Sequence, residues 1–250
     1  MTAGTLLGVW AHPDDEAYLS AGLMDHARRR GDRVVVITAT AGEHGTDNTE
    51  RWPPRRLAAI RRGELRAALA AVDVTEHHVL GYPDGACQDH DGSARVAEIV
   101  ARLQPDTIVT FGPDGITGHP DHRAVSDWTT TAWHTTGRRA RLWYATLTPS
   151  FHERWSDLND QLGLWSYTDA PPCTQPHALA QFLELDDAAL DRKLAALRAH
   201  ATQTGPLIDL VGAATFRAWW STEAFAPAMR EAVVDGGVVP RSPLERAHVR

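Results

Sequence analysis

Lysine is all but missing from this chain. Lys193 is the only one, so the basic residues are arginine almost throughout, a compositional bias that bears on no mechanism. Cysteine is nearly as scarce. Cys87 and Cys173 form one pair at most, which excludes a disulfide framework, and neither has a neighbouring thiol with which to build a metal knuckle. A basic surplus is lacking too: 32 acidic against 25 basic side chains leave a net charge of -7 and a pI near 6.0. A nucleic-acid backbone or another polyanion is therefore not the expected partner. No apolar run approaches the length that crosses a membrane, and no basic segment leads into an apolar one at the N-terminus. Neither a membrane partner nor a signal peptide is expected, and the expected compartment is the cytoplasm. G-x-G-x-x-G does not follow the first strand, so the dinucleotide fingerprint is absent where it would have to stand.

What is present is an ordinary globular composition, 43% hydrophobic and 23% charged over 250 residues, enough for one α/β domain with a sizeable core. Apolar runs at 5–10, 33–40, 107–111 and 141–147 read as strands, and 78–81 as a shorter one. Helical spacing fills 17–30, 53–72, 93–103 and 121–135 between them. The alternation predicts right-handed crossovers and a Rossmann-like, mainly parallel sheet with helices on both faces. From Thr148 the regularity breaks. Trp155, Trp165 and Tyr167 lie in a segment expected to be loop-rich and to wall one side of a crevice. A strand over 178–185 and an amphipathic helix over 186–202, capped by Asp186 or Asp187, follow. The expected organisation is one domain over 1–235, whose part from 148 is this extension, and a tail over 236–250 that is either mobile or an arm on a partner copy, leaving a homo-oligomer open.

The chemistry gathers in Ala11-His12-Pro13-Asp14-Asp15-Glu16, directly after the first strand, and in Gly118-His119-Pro120-Asp121-His122, after the fourth. Each His-Pro-Asp alone is a good helix start: Pro suits the first helical position and carboxylates suit the first turn. Two of them, each between a strand and a helix, converge on one crevice if the strands are parallel neighbours at the sheet centre. Convergence from distant points is how catalytic metals are held, with His nitrogen and Asp oxygen among the accepted donors. His44, in the glycine-rich loop after the second strand, reads as an exposed loop histidine ahead of a ligand by proximity, and Asp84 in Tyr82-Pro83-Asp84-Gly85 as turn chemistry or a substrate contact.

The paired signature resembles that of the PIG-L/LmbE-like zinc deacetylases, which remove an acyl group from N-acetylglucosaminyl compounds. Ile60-Arg61-Arg62-Gly63-Glu64-Leu65, Gly81-Tyr82-Pro83-Asp84-Gly85 and Lys193-Leu194-Ala195-Ala196-Leu197-Arg198-Ala199-His200 are further matches, reaching to about residue 203. The resemblance implies His12, Asp15 and His122 as zinc ligands. It implies Asp14 as the base that takes a proton during attack and returns it to the leaving nitrogen. His119, if protonated, would stabilise the oxyanion, with Asp121 to orient and charge it. Arg61 and Asp84 are candidate contacts to the sugar. The chain departs from the family at Thr117, where many relatives acting on the mycothiol precursor carry a tyrosine. A phenol that could help hold the oxyanion is missing there.

The expected function is thus zinc-dependent hydrolysis of the amide of an N-acyl amino sugar or glycoside, a small-molecule substrate. Two other readings stay beside it: an amidase on a larger thiol or sugar conjugate with the same site, and a non-catalytic sugar- or nucleotide-binding module. The second has no need of Asp14 beside Asp15. Two histidines and one carboxylate also suit Fe(II) in place of zinc.

Overall fold

The computed structural model describes residues 3–228. The tail expected over 236–250 and the end of the expected domain lie outside the described residues. Three strands buried along nearly their whole length form the centre: β1 (Thr5–Trp10), β2 (Arg33–Thr38) and β4 (Thr107–Phe111). Continuous apolar runs are what a parallel strand covered on both faces requires. β3 (Glu76–Val79) flanks β2 at one edge, and its alternating burial explains why Glu76, His77 and His78 are tolerated. It starts two residues before the expected position. On the other side β5 (Arg141–Thr146) pairs with β4, and β7 (Thr222–Pro227) and β6 (Gln181–Glu184) follow antiparallel, giving the order β3-β2-β1-β4-β5-β7-β6. Five parallel strands with this order are Rossmann-like.

Helices α1 (Asp15–Arg29) and α2 (Pro54–Ala71) both pack on α6 (Asp187–Ala199), while α3 (Ser93–Leu103) packs on α4 (Pro120–Thr135). The chain order reverses between β1 and β4, which pair directly through Leu6–Thr107 to Gly8–Val109. In open α/β sheets ligands bind outside the carboxyl ends of the strands at such a switch point. Trp10 meets Phe111 edge-on, ring centroids 5.0 Å apart, and closes the core beneath it.

The stretch expected to be loop-rich opens with a helix, α5 (Pro149–Gln161). Thr148 caps it, its Oγ1 accepting the Phe151 N–H at 3.2 Å, with Pro149 in the first helical position. The helix expected over 186–202 stops at Ala199 instead, because His200 turns inward. α7 (Ala201–Val211) then starts afresh, with Glu64 of α2 accepting the Thr202 N–H at 2.8 Å, and α8 (Ala213–Trp219) leads into β7.

Candidate metal centre

His12 leaves β1 in a turn, Asp15 and Glu16 open α1, and His119, Asp121 and His122 enter from the start of α4. His119 caps that helix, its Nδ1 accepting the Asp121 N–H at 3.2 Å, with Pro120 next. All of the expected site residues meet here.

The partners of each ring fix what it offers. His12 Nε2 lies 3.0 Å from Asp121 Oδ2 and 3.1 Å from Asp84 Oδ1. Carboxylates accept only, so this nitrogen carries the proton, and Nδ1 is turned toward His122 Nε2 at 3.2 Å and Asp15 Oδ2 at 3.6 Å. His122 Nδ1 donates to the Gly115 carbonyl at 3.0 Å, leaving Nε2 bare 3.4 Å from Asp15 Oδ1. Nδ1 of His12, Nε2 of His122 and the Asp15 carboxylate thus face one point. Phe111, stacked on the His122 ring at 4.1 Å and 9°, holds it in place.

Three donors set tetrahedrally about 2.0–2.1 Å from one zinc ion lie about 3.3 Å from one another. The two ring nitrogens, 3.2 Å apart, match that edge, while His122 Nε2 approaches Asp15 Oδ1 at 3.4 Å and His12 Nδ1 approaches the other oxygen, Oδ2, at 3.6 Å. Two overlapping trios, His12-His119-His122 and His12-Asp84-Asp121, also bring candidate ligand atoms within 4.8 Å of one another. The second meets His12 at Nε2, the nitrogen turned away from His122 and Asp15.

Asp14 stands at φ 123°, ψ -29°, a backbone conformation that costs a non-glycine residue about 1–3 kcal/mol and that clusters at functional sites. Its N–H donates to Glu16 Oε2 at 3.1 Å, and Arg61 Nη2 reaches its Oδ2 at 3.1 Å. Burial raises the Asp14 carboxyl to about 6, against the opposing charge of Arg61. Asp15 goes the other way: burial would raise it, but His122 and His12 hold it well below the usual range. Burial pushes His122 down to about 4, the neutral form a metal ligand needs. Burial opposes charge on His12 also, yet its bonds to Asp121, Asp15 and Asp84 raise it well above the ordinary value. His119 is lowered by burial and then by His12.

Three placements differ from the sequence expectation. The Asp121 carboxylate does not reach the His119 ring: it accepts from His12 Nε2 and from the N–H groups of Gly85 and Cys87, at 2.8 and 2.9 Å. A side chain one residue into a helix points back past its cap, so the His119 contact comes from the Asp121 backbone. Arg61 was expected at a sugar. It is 3% exposed, with Nη1 on the Gly42 carbonyl at 2.9 Å and Nη2 on those of Pro13 and Asp14's side chain. Gly42, at φ 65°, has no Cβ to block that path: one would lie 2.1 Å from Nη1. Asp84 too faces inward, accepting the His44 N–H at 2.7 Å while meeting His12, and these bonds and His12's charge hold its carboxyl near 2 against burial. His44 itself is exposed, as expected.

Sequence reasoning gave no role to Glu16 or His200. Both are fully buried, and His200 Nε2 lies 2.7 Å from Glu16 Oε1, directly behind Asp14. A third acidic residue after Asp14 and Asp15, one that the metal does not need, was the available signal. Tyr167 packs edge-on against His119 at 5.0 Å, so the aromatic segment does reach the crevice.

A Rossmann-like sheet with inward-facing His and Asp side chains at its switch point defines a class, an α/β protein with a candidate His/Asp metal site. The chain belongs to the PIG-L family: residues 7–133 match the model of that family, described as GlcNAc-PI de-N-acetylase. It is accordingly an N-deacetylase, a metal-dependent amide hydrolase. The chain is 31% identical over 227 residues to the 1D-myo-inositol 2-acetamido-2-deoxy-alpha-D-glucopyranoside deacetylase of Mycobacterium sp. (strain KMS), covering 79% of this chain and 73% of that one. Among solved structures, the A40926 pseudoaglycone deacetylase Dbv21 superposes with a TM-score of 0.67 at 20% identity, over 93% of this chain and 100% of the other. N,N'-diacetylchitobiose deacetylase from Pyrococcus horikoshii gives 0.62 at 21%, over 90% and 84%. Identities this low speak for the shared fold.

Proposed function

We propose that this enzyme deacetylates an N-acetylated amino-sugar glycoside with one zinc ion held by His12, Asp15 and His122. The convergence of His12 Nδ1, His122 Nε2 and the Asp15 carboxylate, with the His12 ring backed by Asp121 and Asp84 and the His122 ring by the Gly115 carbonyl, carries the reading. Zinc bound there supplies a Lewis acid for the carbonyl and lowers the pKa of a water from about 16 to about 7. Fe(II) fits the same donors.

The remaining steps belong to the chain. Asp14, adjacent to the ligand Asp15, accepts the proton of the attacking water and passes it to the departing nitrogen. Its carboxyl, raised toward neutrality by burial, suits a group that both takes and returns a proton. Arg61 keeps that carboxylate in one place. His119 donates to the developing oxyanion from Nε2. Since Nδ1 accepts a backbone N–H, the neutral ring already carries its proton on Nε2 and need not be charged. Asp121 and Asp84 orient His12 and strengthen it as a ligand, the part a carboxylate plays behind a metal-bound imidazole. Sugar contacts then fall to other groups at the crevice mouth, the exposed His44 among them.

The test is metal analysis of protein purified without added metal, followed by free-amine release from a panel of N-acetylglucosaminides. About one equivalent of metal is expected, with activity lost on chelation and restored by zinc in air or by Fe(II) under anaerobic conditions. Protein that releases amine at full rate without metal would contradict the reading.

A further inference from the structure

Three large hydrophobic side chains stand exposed among the described residues: Tyr167, Phe182 and Leu210. Phe182 lies on the edge strand β6 and Leu210 on α7, and single exposed apolar residues of that kind call for no explanation. Tyr167 differs in its place. It is 57% exposed, yet its ring meets that of His119 with centroids 5.0 Å apart and planes at 70°.

The chain holds it there. Turns carry residues 162–167, with the Ser166 N–H donating to the Gly163 carbonyl at 3.1 Å and the Thr168 N–H to the Trp165 carbonyl at 3.0 Å. Trp165 lines the cavity beside Asp15 and His122, so the segment runs along the rim of the crevice from that cavity to His119. Its backbone is seated on the residue before His119: a Cβ at Gly118 would lie 2.5 Å from the Tyr167 carbonyl oxygen and 2.8 Å from Thr168 Cβ. Glycine permits that approach, and its φ of 80° is one that other residues adopt only with strain. A ring mounted on a fixed backbone has little freedom left to lose when a ligand covers it.

In the proposed reaction the amide carbonyl sits at the metal with its oxygen toward His119, and the amide nitrogen is bonded directly to the sugar. The sugar ring therefore leaves the centre past the groups that border it, and Tyr167 borders it on the His119 side. Glu43, His44 and Asp84 stand together on the His12 side. An amino-sugar pyranose carries C–H groups across its face and hydroxyls around its rim. Laid on the tyrosine, that face meets the electron-rich side of an aromatic ring and removes apolar area from water. The hydroxyls stay at the edge with water or polar partners, which avoids the cost of burying them unpaired.

We infer that Tyr167 is the platform on which the amino-sugar ring of the substrate lies, its aromatic face against the C–H face of the pyranose. The inference rests on the deacetylase reading and adds to it the group that recognises the sugar ring. Tyr167 then sets affinity for the sugar and not the rate of the chemical step. The contact belongs to the ring, so the phenol hydroxyl is dispensable.

Tyr167→Ala, Tyr167→Leu, Tyr167→Phe and Tyr167→Trp, each metal-loaded, test it in two ways. In the first, kcat and KM are measured on methyl N-acetylglucosaminide. Tyr167→Ala and Tyr167→Leu are expected to raise KM roughly tenfold with kcat changed less than about twofold, while Tyr167→Phe and Tyr167→Trp stay within about threefold of the parent KM. In the second, methyl glucosaminide, the deacetylated product, is bound calorimetrically, which needs no turnover, and the same order of affinities is expected. A fall in kcat at constant KM that Tyr167→Leu restores would overturn the platform, because Tyr167 would then only prop His119. A KM rise in Tyr167→Phe as large as in Tyr167→Ala would overturn it in favour of the hydroxyl. A loss seen with phenyl N-acetylglucosaminide and not with the methyl glycoside would overturn it in favour of the aglycone. If the parent enzyme cleaved no N-acetylglucosaminide, the deacetylase reading would fall. Binding of methyl glucosaminide that Tyr167→Ala weakens and Tyr167→Phe retains would support the platform even so, and binding indifferent to all four substitutions would overturn it.

Discussion

Arg61 Nη2 lies 3.1 Å from Asp14 Oδ2, inside a pocket closed by the Pro13 and Gly42 carbonyls. A guanidinium so placed would act on Asp14, the proposed base, and not on the sugar. Arg61→Ala is therefore expected to lower kcat by one to two orders of magnitude, with KM moving little. Arg61→Lys should recover only part of the loss, since one ammonium cannot satisfy three oxygens held in fork geometry. Steady-state kinetics on an N-acetylglucosaminide reads the split, and a rise in KM at constant kcat would return Arg61 to the sugar.

His200 and Glu16 form an ion pair or strong hydrogen bond with no solvent access. Cutting one partner leaves the other buried and unpaired, which costs about 3–5 kcal/mol. His200→Ala should lower Tm by roughly 10 °C on the scale of 2–4 °C per kcal/mol for a chain of this size. Because Glu16 also accepts the Asp14 N–H, kcat should fall as well, at constant metal content. Calorimetry beside metal analysis checks both, and an unchanged Tm would mean the pair contributes nothing to the fold.

Asp25 joins α1 to α6. Its two oxygens accept from Arg192 Nε at 2.6 Å and Nη2 at 2.8 Å, and from Arg29 of its own helix, which together hold its carboxyl below the ordinary value against burial. A carboxylate depressed in the folded state contributes stability that is fully present above its unfolded pKa, near 4, and is lost as pH falls through the folded value. Asp25→Asn should therefore lower Tm at pH 7 by an amount that shrinks toward zero as the pH falls below about 4. Thermal melts of both proteins across that range are the check, and a difference independent of pH would contradict the assignment.

The strand-helix alternation made the central sheet readable in the sequence, and the doubled His-Pro-Asp made it readable that both signatures meet at one crevice, while the choice of His12, Asp15 and His122 within them came from the family resemblance. Local signals lay next to one another there: an apolar run, a proline and a carboxylate. Roles decided by orientation were not readable. Nothing in the spacing says that Asp121 bonds His12 in place of His119, or that Arg61 turns inward through the gap left by Gly42. The C-terminal third was hard for a different reason. Its α6–α7 break is imposed by the long-range His200–Glu16 and Thr202–Glu64 contacts, and β7 inserts antiparallel between β5 and β6, a pairing out of chain order. α5 was legible in principle, since Thr148-Pro149 is a cap followed by a first-turn proline.

The central claim is a division of labour between adjacent, chemically identical residues: Asp15 holds the metal and Asp14 moves the proton. The direct measurement is metal content and turnover, side by side, in Asp14→Asn and Asp15→Ala. Asp14→Asn is expected to keep about one equivalent of metal while turnover falls roughly 10²- to 10⁴-fold, the usual worth of a positioned general base. Asp15→Ala, which removes one of three protein ligands, is expected to lose metal and activity together. Metal lost from Asp14→Asn and retained in Asp15→Ala would reverse the two roles, and full activity in both would remove the catalytic account of this site.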